Sequence, residues 1–445
     1  MATGPSELPT PQFYEFPATF QQRRLWFLDQ LQPNAASYNV AWSIRITGQL
    51  RVEALEQSLS EIVRRHEVLR TTFTERNGEP VQVVSPAHPL HLAVLDLSST
   101  PDGEAEAQRI TSQESQQPLD LKNGPLLRAR VLKLGAEEHI VLITLHHIVF
   151  DGWSRRIFVQ ELATLYEAYE SGKASPLPDL PLQYADYAVW QREHFAGKAL
   201  AKQLAYWKKQ LDGAPASLNL ATDRPRPAIQ SYRGAVKSFT LPAELFAAIS
   251  DCGRQQSVTP FMILLAGFQV LMARYSGQED VLVGTPIANR NRAELEGVIG
   301  FFANTLVMRT KISPALTVSE LLAKVRETAL DGYAQQDIPF EKLVEELRPE
   351  RSLSHNPLFQ VLFSLQNAPR RAFDLPGLQL TPVEVAGATS KFDLSLFLVE
   401  TPEGLRGRME YNTDLFEEAT IERMLAHYQG LLEAAVADPQ CPVSE

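Results

Sequence analysis

The run His139 to Leu145 (HIVLITL) is almost continuously apolar and rich in β-branched residues. That pattern reads as a strand buried on both faces, because a strand with one wet face alternates instead. Such a strand needs a sheet covered on both sides, and so a mixed α/β architecture. The flanks agree. Leu126 to Leu134 alternates as a partly exposed strand does, and Arg155 to Tyr169 carries Ile157, Phe158, Leu162, Leu165 and Tyr169 at helical spacing. Between strand and helix lies the loop His146 to Gly152.

Strand and helix patterns recur along the whole chain. Thr19 to Leu31 is helical, Tyr38 to Ile46 alternates, and Arg51 to Leu69 is an amphipathic helix with Val52, Leu55, Leu59, Ile62, Val63 and Leu69 on one stripe. Short strands follow at Pro80 to Val84 and Leu92 to Leu95, then a polar helix after Asp102. Ser171 to Leu182 (SGKASPLPDLPL) holds three prolines and a glycine and is the best boundary. Beyond it come a long helical stretch, Tyr184 to Leu211, and strands at Ala235 to Leu241 and Asp280 to Val283. Helices are expected near Ala243, Thr259, Val318 and Pro339, further strands at Phe359 to Leu365, Phe392 to Val399 and Leu405 to Tyr411, and a last helix over Ala419 to Val436. The expectation is two α/β lobes of about 180 and 260 residues, with residues 1–17, rich in proline and small polar residues, as a leader or linker.

Charge and cysteine usage narrow the function. The net charge is −11, which argues against a nucleic-acid or anionic-membrane binder. Cys252 and Cys441 are the two cysteines; they make neither a disulfide framework nor a zinc spacing, and suit a reducing, cytoplasmic compartment. The longest apolar stretch, Phe261 to Ala273, contains Gln269 and is short of the ~20 residues a membrane span needs. The first residues have neither a basic start nor an apolar core, so no signal peptide is expected.

Of the nine histidines, His146 and His147 alone are adjacent, and Asp151-Gly152 follows them in the string LHHIVFDGWS. Side chains alternate along a strand, so the two rings should face opposite sides. One would hold the loop or core; on the functional reading the other would face a cavity and handle a proton in acyl transfer. Asp151-Gly152 is turn chemistry, and glycine permits positive φ or close backbone approach. A satisfied core histidine beside an ordinary turn is the competing reading for either ring alone. A metal site is not expected, since no His-Glu-x-x-His string or cysteine cluster accompanies the pair. There is no G-x-S-x-G elbow and no P-loop.

These residues carry a resemblance. The chain resembles a condensation domain of nonribosomal peptide synthetases, whose His-His-x-x-x-Asp-Gly motif stands intact at His146 to Gly152. The family's other signatures recur in order: Thr19 to Leu28 (TFQQRRLWFL), Arg65 to Phe73, Tyr184 to Trp190 (YADYAVW), Ile299 to Thr305, Asp337 to Glu341, and Arg351 to Gln360. The resemblance implies two chloramphenicol-acetyltransferase-like lobes, residues 18–177 and 178–445, forming a V-shaped pseudodimer with a central tunnel. Pantetheine arms of carrier proteins would enter that tunnel from opposite faces. It also implies amide-bond formation between an acyl thioester donor and the α-amine of an aminoacyl thioester acceptor. No cofactor would be bound by the domain itself.

Under that resemblance His147 is the cavity-facing ring, acting as base or positioning group, the Gly152 N–H orients substrate, and His146 and Asp151 support the loop. Arg290, in GTPIANR, matches the family arginine that pairs with the motif aspartate; Arg292 stands two residues on. Arg65 and Arg70 are candidate scaffolding, and Trp153 and Asn304 candidate tunnel lining. The aromatic stretch Tyr184 to Trp190 is read as helix packing. The expected partners are an acceptor carrier protein and either a donor carrier protein or an acyl-CoA, with the domain monomeric within a multidomain synthetase. His146-His147 excludes a cyclisation domain, Trp153-Ser154-Arg155 argues against an epimerisation domain, and Asn304-Thr305-Leu306 favours an L-type or starter domain. Starter and elongation readings stand about level; Met1, close before the first motif, leans toward the starter. A non-catalytic recruitment domain of the same fold is the alternative.

Overall fold

The computed structural model describes residues 13–33, 35–195, 198–350, 352–366, 375, 377–383 and 389–444. Residues 1–12 of the expected leader and Arg351 of the last motif lie outside them.

In chain order the first elements are β1 (Tyr14–Pro17), α1 (Phe20–Leu31), β2 (Asn39–Thr47), α2 (Val52–Arg65), β3 (Thr71–Arg76), β4 (Glu79–Val84), β5 (Ala93–Asp96) and α3 (Gly103–Gln116). They continue as β6 (Leu127–Lys133), β7 (Glu138–His146), α4 (Gly152–Glu170), α5 (Tyr184–His194), α6 (Lys198–Gln210), β8 (Gly234–Pro242), α7 (Ala243–Gln256), α8 (Pro260–Ser276), β9 (Asp280–Ile287) and β10 (Asn304–Lys311). The last are α9 (Val318–Ala334), α10 (Phe340–Leu347), β11 (Val361–Gln366), β12 (Gln379–Val383), β13 (Leu394–Thr401), β14 (Gly404–Asn412) and α11 (Glu418–Ala437).

The chain divides into two compact units. The first holds Met1–Ala196, Arg290–Phe302 and Arg370–Ala386; the second holds the rest. The first unit is built on a five-stranded sheet, β12-β2-β7-β6-β5, with a three-stranded sheet β1-β4-β3 beside it. β7 is central and buried from His139 to His146. Ile140 and Leu142 pack with Ala107 and Ile110 of α3, whereas Val141, Ile143 and Leu145 join the core made by α2 and α4. A helical layer on each face is why this strand has no polar alternation. α2 packs on α4 through Leu55, Leu59 and Ile62 and Phe158, Leu162 and Leu165. α1 starts at a capping box, the Thr19 hydroxyl accepting from Gln22 N–H and the Gln22 side chain from Thr19 N–H.

The second unit has one six-stranded sheet, β10-β9-β11-β13-β14-β8, with β11 parallel to both β9 and β13. α8 is apolar nearly all round, buried from Met262 to Ala266 and from Phe268 to Met272, so it is a core helix rather than a surface one. Pro260 at its first turn and the Thr259 cap set its start, and Gly277, at φ 68°, ends it. Among the described residues no single helix is long and apolar enough to cross a membrane; α7 and α8 together pass by length and composition, but they are bent by 104°.

Four expectations need correcting. Tyr14–Pro17, read as part of a leader, forms β1 and pairs with β4. The long helical stretch over 184–211 is two helices, α5 and α6. The Pro-rich stretch does not separate the two units: α5 beyond it buries Tyr184 and Tyr187 in the first core, and the Leu177 and Pro178 carbonyls accept from Arg65 of α2. The segments 290–302 and 370–386, which the sequence assigns to a second lobe, group with the first unit, β12 extending its sheet through β2.

Candidate active site

The motif loop begins where β7 ends. His146 is 3% exposed, and its Nδ1 accepts from Ile148 N–H at 3.1 Å. His147 opens one 3₁₀ turn, His147–Val149. Its N–H donates to Tyr38 O at 2.8 Å, its ring is half-buried, and the Phe301 ring lies 4.6 Å away between centroids. The two histidines are therefore differently employed, one against the loop's own backbone and one beside an aromatic ring of a segment distant in sequence. Gln22 of α1 holds the same turn, its Nε2 donating to Ile148 O at 3.2 Å.

Asp151 caps α4 and does more. Its Oδ1 accepts from Ser154 N–H at 2.8 Å and from Arg290 Nη2 at 3.2 Å, and its Oδ2 accepts from Phe302 N–H at 3.0 Å. Both members of the Asp151–Arg290 pair are buried. Arg290 Nη1 donates to the Leu295 and Val298 carbonyls, each at 2.7 Å, and its guanidinium lies 4.0 Å from the Phe302 ring centroid. Burial pulls the Arg290 pKa below its ordinary value, against the opposing pull of Asp151. Arg292, the other arginine of this stretch, instead lies 4.7 Å over the Trp190 ring.

Ser154 joins the same network. Its hydroxyl donates to Gly300 O at 2.8 Å and accepts from Gly300 N–H and Arg290 Nη2, each at 3.0 Å. One proton given and two received is a hydroxyl's full capacity. Trp153 Nε1 donates to Glu296 O at 3.0 Å, with the Arg156 guanidinium 4.2 Å over its ring. The Tyr184 hydroxyl donates to Phe301 O at 2.7 Å, so the aromatic stretch read as packing also anchors backbone. Burial drives the Tyr184 pKa well up, so it remains a donor.

Side chains of the motif loop, α4 and α5, together with Arg290, thus hold the carbonyls of Leu295, Glu296, Val298, Gly300 and Phe301 and the N–H groups of Gly300 and Phe302. Close approach accounts for Gly300: a Cβ there would lie 2.0 Å from Tyr184 Cδ2. Gly300→Ala is expected to cost at least about 1–3 kcal/mol by overpacking, read as a lower urea midpoint, and Tyr184→Leu in the same chain to recover part of it. Gly152 is different. It has no positive φ, and a Cβ built on it would meet no atom within 4 Å. Neither strain nor crowding by the protein itself asks for glycine there, which corrects the turn-based expectation.

Arg65 is tied to this region through Glu161, its Nε and Nη2 reaching the two carboxylate oxygens at 3.2 and 3.1 Å. Glu161 also meets His66 Nε2 at 3.0 Å. Arg70 is elsewhere, bonded to Ser85 O and to Glu67. Asn304 belongs to the second unit and is 2% exposed. Its Nδ2 donates to Gln336 O and Ile338 O at 2.9 and 2.7 Å, and its Oδ1 accepts from Phe340 N–H at 2.9 Å. Those bonds hold the Asp337-Ile338-Pro339-Phe340 turn, so the amide is spent on its own unit instead of lining an open space. Reading from sequence missed Gln22, His66, Glu161, Ser154 and Tyr184. Gln22, His66 and Tyr184 stand inside the signatures Thr19 to Leu28, Arg65 to Phe73 and Tyr184 to Trp190, which mark the positions but not these contacts; Glu161 left a different signal, a charge at an inward position between Phe158 and Leu162.

Among the described residues no group of three or more His, Cys, Asp or Glu side chains is placed to hold a metal ion. A surface cavity of about 790 Å³ lies in the second unit, lined by Arg224, Arg233, Asp414 and Glu417 among others. None of the motif residues reaches it, and its arginines are paired with its acids.

The profile of the condensation-domain family matches residues 13–445. The chain belongs to the condensation-domain family. It is 51% identical over 441 residues to one of the linear gramicidin synthase proteins of Brevibacillus parabrevis, a match that covers 98% of the chain and 6% of that protein. It is 44% identical over 429 residues to the phosphinothricin tripeptide synthetase PhsC of Streptomyces viridochromogenes, covering 95% of the chain and 39% of the relative. The domain therefore spans well under half the length of these relatives, and only 6% of the first. Among solved structures it is similar to the X-domain of teicoplanin biosynthesis in its complex with OxyB, at 28% identity, 100% and 96% coverage and a TM-score of 0.89. It is also similar to the first condensation domain of the CDA synthetase, at 25% identity, 97% and 98% coverage and a TM-score of 0.80. The fold is the mixed α/β, chloramphenicol-acetyltransferase-like fold of these domains. Condensation domains as a family form amide bonds by acyl transfer, on substrates tethered to phosphopantetheine carriers and without a cofactor of their own.

Proposed function

We propose that this condensation domain catalyses amide formation between two carrier-bound thioesters, an L-type elongation step. The amine nitrogen of the acceptor attacks the donor's thioester carbon, the C–S bond breaks, and the donor's pantetheine leaves as a thiol carrying the proton lost by the amine. A thioester is already activated, so alignment of amine and carbonyl carbon supplies most of the rate. His147 takes or steers the amine proton. The N-terminus of α4, with Gly152 as its first residue, offers N–H groups and the positive end of a helix dipole to the developing oxyanion, and the bare Cα of Gly152 leaves room for substrate. Asp151, Arg290 and His146 hold the loop.

The observation that carries the reading is the half-buried His147 on a loop held by the side chains of His146, Asp151 and Gln22. Asn304-Thr305-Leu306 and the likeness to segments of three linear gramicidin synthase proteins at 48–51% identity support elongation over a starter role. The partners are then an acceptor and a donor carrier protein, with the domain a monomeric part of a longer synthetase. The likeness to the X-domain favours a second reading, recruitment of another protein without condensation; the intact His147 and Gly152 weigh against it.

Intact mass spectrometry of an aminoacyl acceptor carrier separates the readings. Transfer from an aminoacyl or peptidyl donor carrier, and not from a long-chain acyl-CoA, is expected. Transfer from acyl-CoA alone establishes a starter domain. No transfer from either rejects catalysis and leaves recruitment.

A further inference from the structure

We propose that His66 is a positioning residue of this domain: it fixes the backbone at Ile299 and, through it, the Phe301 ring against His147. The proposal rests on the reading that His147 acts on the acceptor amine. His66 follows the last residue of α2 and has no exposed surface. Both ring nitrogens are engaged. Nδ1 faces Ile299 N–H at 3.3 Å. A backbone amide only donates, so Nδ1 accepts and carries no proton. The ring's proton is therefore on Nε2, which donates to Glu161 Oε2 at 3.0 Å. Surroundings of this kind select one neutral tautomer.

Glu161 is itself fixed. Arg65 donates to both of its oxygens. A charged, bidentate anchor thus stands behind a neutral imidazole, which presents an acceptor to one particular N–H. An apolar residue would fill the same space without holding that amide.

The path to the reacting group is short. Ile299 lies two residues before Phe301, whose ring is 4.6 Å from that of His147. Ser154, Tyr184 and Asp151 hold Gly300, Phe301 and Phe302. His66 supplies the anchor on the other side of Gly300, from an element outside the motif loop.

Two conservative variants separate positioning from bulk stability. His66→Asn keeps an acceptor, Oδ1, near the place of Nδ1; His66→Gln keeps a donor near the place of Nε2 and loses the acceptor. His66→Asn is expected to hold kcat within about threefold, and His66→Gln to lower it about ten- to a hundredfold with little change in the acceptor KM, because misplacement costs rate rather than uniform binding. Equal losses that follow the melting temperature would mark a merely structural role and overturn the proposal. The wild-type chain gives a second test that no folding defect can obscure. Long-range ¹H–¹⁵N spectra should show His66 as the Nε2–H tautomer at pH 7; an Nδ1–H tautomer or an imidazolium would overturn it. If wild type itself forms no amide with any donor, the functional reading fails, and the tautomer still decides the placement of His66.

Discussion

Replacing His147 by alanine is expected to slow amide formation by about 10²–10⁴-fold, while stability changes by less than about 1 kcal/mol, as for a partly exposed side chain outside the packed core. The backbone bond from His147 N–H to Tyr38 O survives the change, and the ring is half-buried beside Phe301. His146→Ala should behave in the opposite way. It removes the acceptor for Ile148 N–H from a site 3% exposed, which leaves a buried donor unpaired at about 1–3 kcal/mol. Its activity should fall only as far as the folded fraction falls. Rates measured by intact mass on the acceptor carrier, with urea midpoints on the same preparations, check both. A His147→Ala domain as active as wild type would remove the residue from the mechanism.

Replacing Arg290 by methionine is expected to cost about 3–5 kcal/mol of stability, because it strands the charge of Asp151 in a buried site. Asp151 would keep its bonds from Ser154 N–H and Phe302 N–H but lose the buried positive charge that Arg290 sets against it. Asp151→Asn should cost less. The guanidinium still has the carbonyls of Leu295 and Val298 and the Ser154 hydroxyl to donate to. The double variant, Asp151→Asn with Arg290→Met, should be more stable than Arg290→Met alone, since no isolated charge remains. Urea unfolding of the three variants tests the ordering. If Arg290→Met is no worse than Asp151→Asn, the pair is not what holds the two segments together.

What could be read in the sequence follows from how local each cause is. β7 was legible because helices cover both its faces, leaving Ile140 to Leu145 buried without alternation. The motif loop was legible because His146, His147, Asp151 and Gly152 are set by strand end, cap and helix start within a few residues. Arg290 as the partner of Asp151 came from the family resemblance, and no spacing argument supplies it. β1 and β12 were not legible. Each is a short edge strand with little apolar alternation, and each takes its place from a partner far off in the chain. The supports of segment 295–302 were hidden for a different reason. They hold backbone N–H and C=O groups, which every residue carries, so His66 to Ile299 or Tyr184 to Phe301 leaves no mark in residue type. Asn304 misled because a polar side chain near a motif suggests an open cavity, whereas its amide is used up by the turn at Gln336 to Phe340.

The motif loop and residues 295–302 form one hydrogen-bonded assembly that carries His147, and the proposed mechanism depends on it. Hydrogen exchange of the backbone amides of Ile299, Gly300 and Phe302 tests this most directly. These amides lie outside any helix or strand, and their acceptors are buried side chains, Nδ1 of His66, Oγ of Ser154 and Oδ2 of Asp151. Protection as strong as that of α4 is expected, lost together with the amides of 148–154 in a single opening. Fast exchange of 299–302 while α4 stays protected would show an ordinary loop, and would contradict it.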